Sequence, residues 1–82
     1  MVRIYDAIKK IGARVFNLNE SEISENIARD NTPEWDSLNH LILLTEIEKE
    51  LGIKFKASEI TKIKSLKDIE NILEVRGIKP QR

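Results

Sequence analysis

The sequence predicts an all-α fold, a four-helix bundle of three main helices and one short one, with a long loop between the first and second. Three observations carry this. Apolar residues recur at three- and four-residue spacing in three separate stretches. Capping and stop residues bracket the later two. No run alternates apolar and polar side chains as a half-buried strand does, and only 3 Gly and 2 Pro interrupt 82 residues.

The first helix follows from Ile4, Ile8, Ile11 and Val15, with Arg3, Asp6, Lys9, Lys10 and Arg14 on the polar side. Asn17, Asn19 and Ser21 then break the pattern. The stretch to Pro33 is polar, with apolar anchors at Leu18, Ile23 and Ile27, and reads as a long loop holding at most a helical turn. Pro33 disfavours helix at Thr32, and Asp36 and Ser37 are both capping types, so the second helix opens there. Leu41, Leu44, Ile47 and Leu51 are expected to form its core face, and Gly52 its left-handed stop. Ile53-Lys54-Phe55 is expected to be extended, tucking two apolar side chains inward, before a short helical turn from Ser58-Glu59 to about Lys64. Ser65 and Asp68 have the spacing of a capping box for the last helix, whose apolar positions are Leu66, Ile69, Ile72 and Leu73. Residues 1–77 read as one domain and 78–82, containing Pro80-Gln81-Arg82, as a loose tail.

Composition removes several function classes. There is no cysteine, hence no disulfide, thiolate metal site or cysteine nucleophile, and the one histidine, His40, cannot make a His-rich zinc site. Asp30, Glu34, Glu46 and Glu48 do not fall at the spacing of a calcium loop, so no metal site is expected. Fourteen basic residues balance 14 acidic ones, which argues against nucleic acid as a partner. The longest apolar run, Leu41 to Leu44, is too short to cross a membrane, and Met1-Val2-Arg3-Ile4 lacks the apolar stretch of a signal peptide. A cytoplasmic monomer is expected.

The chemistry concentrates at Asp36-Ser37-Leu38. A serine in the first turn of a helix sits among unpaired N–H groups at the positive end of the dipole, where a phosphate ester is favoured. Asp36 beside it suits a divalent metal carried in with a phosphoryl donor. Nothing in the chain activates the hydroxyl, so Ser37 reads as an acceptor and not as a catalytic residue. The same tripeptide also serves simply as a helix cap, and sequence context has to decide between the two.

That context is Trp35-Asp36-Ser37-Leu38-Asn39-His40-Leu41, followed by Leu44, Ile47-Glu48, Glu50-Leu51-Gly52-Ile53 and Phe55. With the first helix, the long loop and the last helix around it, the chain resembles the acyl carrier protein family over most of its length. The resemblance implies that Ser37 receives 4′-phosphopantetheine from coenzyme A through a separate phosphopantetheinyl transferase. It implies that the arm carries acyl groups as thioesters to acyl-transferring and acyl-modifying enzymes, and that the chain is not itself an enzyme. Asp36 and Leu38 match the residues flanking the family's attachment serine.

Two positions depart from the family's usual pattern. Asn39 stands where an acid is frequent, and Ile42 where Glu is usual. The second-helix region still carries Glu34, Asp36, Glu46, Glu48 and Glu50 against Lys49, while from Lys54 onward eight basic residues face four acidic ones. Glu46 and Glu48 are therefore expected to face partners, a role exposed charge fills by steering encounter. A helical wheel puts Leu38, Ile42 and Thr45 opposite the core face, so Leu38 and Ile42 form either an apolar contact for partners or, for Ile42, packing under the loop. Trp35 reads as a cover for the core where the loop meets the helix, with a partner contact as the alternative. His40, a turn past Ser37, is expected at the surface or core edge, because no third residue completes a nucleophile–base pair. These departures point to a specialised carrier serving fatty-acid, polyketide or related biosynthesis. A peptidyl or aminoacyl carrier and an unmodified helical adaptor are the alternatives.

Overall fold

In the computed structural model, residues 6–24 and 26–78 are described. They form α1 (Asp6–Phe16), α2 (Ser37–Leu51), α3 (Ala57–Lys62) and α4 (Leu66–Val75), with a 3-10 turn at Glu20–Glu22 in the long loop. The fold is an all-helical bundle, as the apolar periodicity predicts. Among the described residues the only β pairing is an isolated antiparallel bridge between Ala28 and Ser65. Arg3 and Ile4, expected in the first helix, lie outside the described residues, as does 79–82 of the expected tail. Ile78, at the head of that tail, is half-buried against the core.

Local chemistry sets the starts of α2 and α4 and the ends of α1, α2 and α4. Asp36 caps α2 by accepting from the Asn39 N–H at 2.8 Å, and Ser65 caps α4 by accepting from the Asp68 N–H at 3.1 Å. The Asp68 carboxylate reaches back past the cap residue to the Lys64 N–H, at 2.9 Å. α2 ends at Gly52, whose φ of 68° is open to glycine at no steric cost. The Ile53 N–H then returns to the Glu48 carbonyl, a turn repeated at the ends of α1 and α4 by Leu18 to Ala13 and Ile78 to Leu73. α3 begins one residue before the expected Ser58 and stops at Lys62, two short of the expected end.

The core draws Ile8, Ile11, Ala13 and Phe16 from α1, Leu43, Leu44 and Ile47 from α2, Ile63 from the link after α3, and Leu66, Ile69 and Leu73 from α4. Ile23, Trp35 and Phe55 close it from the connecting segments, Phe55 with Ile53 half-buried beside it. The core face expected for α2 requires correction. Leu41 is 55% exposed and Leu51 only half-buried, whereas Leu43, absent from the expected set, is fully buried. Each step of three residues falls about 60° short of a full turn, so a row spaced by threes drifts off the face it began on. Leu41 therefore lies some 120° from Ile47, and the buried stripe runs His40, Leu43, Leu44, Ile47.

The long loop is ordered by its own polar groups. Asn31 accepts from the Ala28 N–H and donates to the Asn26 carbonyl, both at 3.0 Å, and Thr32 Oγ1 donates to Asn31 Oδ1 at 2.8 Å. The Arg29 N–H donates to the Lys64 carbonyl and the Leu66 N–H to the Ile27 carbonyl, pinning the loop to the start of α4. This lashing, together with Trp35 beneath it, fixes where α2 begins.

Candidate functional site

Ser37 is the first residue of α2, and its side chain lies in solvent. Asp36, also exposed, directs one carboxylate oxygen to the Asn39 N–H while its carbonyl accepts from the His40 N–H at 2.8 Å. The hydroxyl thus stands at the positive end of a 15-residue helix, where negative charge is stabilised.

Trp35 and His40 are both core residues, 3% and 6% exposed. The indole tilts against Phe16 with ring centroids 5.2 Å apart and stacks on the His40 ring at 6.0 Å. The indole N–H donates to His40 Nδ1 at 3.0 Å, and His40 Nε2 lies 2.9 Å from the Ile60 carbonyl. An indole N–H only donates and a carbonyl only accepts, so the ring is the neutral tautomer with its proton on Nε2. Both nitrogens are engaged away from Ser37, leaving neither to take the hydroxyl proton. The position is more buried than the surface or core-edge place expected for His40.

The other predicted site residues divide into two groups. Leu38 and Ile42 are 67% and 38% exposed, and Leu41 joins them, giving an apolar strip directly beside Ser37. No charged residue occurs from Ser37 through Thr45. Glu46 and Glu48 are occupied within the fold. Glu46 accepts from Arg14 of α1 at 3.1 Å, and Glu48 accepts the Phe55 N–H at 2.7 Å, holding the turn after α2. Any partner contact by these two carboxylates competes with those bonds.

Sequence reading missed two contributors. Leu41 belongs to the exposed strip, which a wheel drawn from Leu38 gives directly. Asn39 Nδ2 donates to the Glu34 carbonyl at 2.8 Å, a bond that an acid at this position has no proton to make. Nothing in the sequence singles out the Ile60 carbonyl. No helix among the described residues is long and apolar enough to cross a membrane. No protein-family model matches the chain, and no curated protein matches it either.

Proposed function

We propose that this chain is a cytoplasmic acyl carrier protein, a non-enzymatic partner bearing a 4′-phosphopantetheine arm on Ser37. The observation that carries the reading is an exposed serine at the first position of α2, the longest helix among the described residues, flanked by a capping aspartate and a bare apolar strip. The site suits the group. Ser37 is exposed at the positive end of α2, where a phosphodiester on its oxygen would be stabilised, and Asp36 is exposed beside it. When bound, the arm supplies the thiol that the polypeptide lacks and on which an acyl group is held as a thioester. The chain's own contribution is to expose the acceptor oxygen, hold the preceding turn still and offer Leu38, Leu41 and Ile42 to docking enzymes. Tethering raises the effective concentration of cargo at each docked enzyme without any new contact.

The test is an intact mass of the full chain after incubation with coenzyme A, magnesium and a broad-specificity phosphopantetheinyl transferase. One added phosphopantetheine, absent in Ser37→Ala, is the expected result. No gain with several transferases on a folded sample refutes it and leaves an adaptor that docks through the same apolar strip. Whether the cargo is acyl or aminoacyl follows from which loading enzymes accept the modified protein.

A further inference from the structure

We propose that His40 is a positioning residue for the chemistry at Ser37, holding the turn before the serine and α3 behind it in one fixed arrangement; this rests on the carrier reading above. Two consecutive residues of α2 reach back onto the segment that leads into the serine. Asn39 donates to the Glu34 carbonyl at 2.8 Å, and His40 accepts the Trp35 indole N–H at 3.0 Å. Asp36 returns the contacts by receiving the N–H groups of both. The turn and the helix therefore cap one another.

The imidazole does more than close that turn. Its Nε2–H reaches the Ile60 carbonyl at 2.9 Å, in a six-residue helix whose last carbonyls have no partner within the helix. One ring thus joins three segments: the 32–36 turn, the first turns of α2, and α3. At 6% exposure, with a donor-only group on one nitrogen and an acceptor-only group on the other, it has a single tautomer and a single orientation. An enzyme seated on Leu38, Leu41 and Ile42 therefore meets a serine whose leading turn and neighbouring helix are held by the same side chain. His40 does not touch the hydroxyl, so removing its bonds alters how well the acceptor is presented and not the transfer itself.

The experiment is steady-state phosphopantetheine transfer to the full chain, carried out at a temperature where circular dichroism shows each variant folded. His40→Leu removes both bonds, Trp35→Phe removes the indole donor together with part of a buried ring but leaves the bond to Ile60, and His40→Gln restores an amide able to accept and donate. The expected result is a KM for the carrier raised about tenfold in His40→Leu and Trp35→Phe, with kcat within about twofold, and most of the loss recovered in His40→Gln. If His40→Leu does not fold, Trp35→Phe decides. An unchanged KM in both variants, or a fall in kcat alone, overturns the proposal. The imidazole ¹⁵N spectrum of the wild-type chain is expected to give an unprotonated Nδ1 and a protonated Nε2, and the opposite tautomer also overturns it. Failure of the carrier reading is distinguishable: the wild-type chain is then not loaded at all, while the ¹⁵N spectrum still decides whether the ring makes both bonds.

Discussion

Asp36 has two roles that substitutions separate. As the cap of α2 it satisfies the Asn39 N–H. Asp36→Ala should therefore cost about 1 kcal/mol, seen as a lower urea midpoint with an unchanged m-value. Asp36→Asn keeps a capping oxygen and should unfold close to wild type; a large loss in that variant means the charge itself holds the helix end. If the carboxylate also serves the transferase, Asp36→Asn lowers loading without lowering stability. Asn39→Asp is the complementary case, removing the donor to Glu34 and setting a carboxylate against a carbonyl. A loss on the order of 1 kcal/mol is expected in thermal melts, and a stabilised variant contradicts the bond. At this scale the sequence was informative about Asp36 and Ser37, because capping is local chemistry. It placed His40 too near the surface, because the ring's second partner lies 20 residues further along the chain.

Among the elements, α3 is too short to persist alone and depends on its attachments. Glu59 supplies two of them, accepting from the Lys56 N–H at 2.8 Å and from Arg76, beyond α4, at 2.7 Å. The Lys56 N–H, reinforced by the Arg76 charge, holds the Glu59 carboxyl below its ordinary 4.5, and desolvation opposes it only in part. A carboxyl depressed in the folded state stabilises the fold above its unfolded value, and that share is lost as pH falls through the folded value. Melting temperature should therefore decline below about pH 4.5, and Glu59→Gln should flatten part of that decline. Equal slopes in the two proteins would dismiss Glu59 as a contributor. The elements were legible where periodicity and caps act within one segment, as in α1, α2 and α4. Leu41 and Leu43 exchanged places because a row of threes fits the letters better than it fits a helix. The loop closure was not legible, since Arg29–Lys64 and Leu66–Ile27 join residues that are neighbours only after folding.

For the whole molecule the core is small, and each member weighs heavily. Ile47 is fully buried, and Ile47→Ala should cost about 2–5 kcal/mol out of a total of roughly 5–15 kcal/mol. Chemical denaturation is expected to show a clearly lower urea midpoint, and a loss under about 1 kcal/mol would mean the site refills. Charge is balanced overall, and the nine residues from Ser37 to Thr45 carry none. Docking beside Ser37 should thus weaken less than about threefold between 50 mM and 500 mM salt, yet fail in Leu38→Asp or Ile42→Asp. A steep salt dependence would shift docking to the acidic residues further along α2. Finally, the chain's only tryptophan is the residue buried two positions ahead of that serine. The molecule therefore carries an intrinsic optical probe at the place that matters. Any event that lifts the turn from the core wets a single indole, and a red shift of its emission reports the event with no label attached.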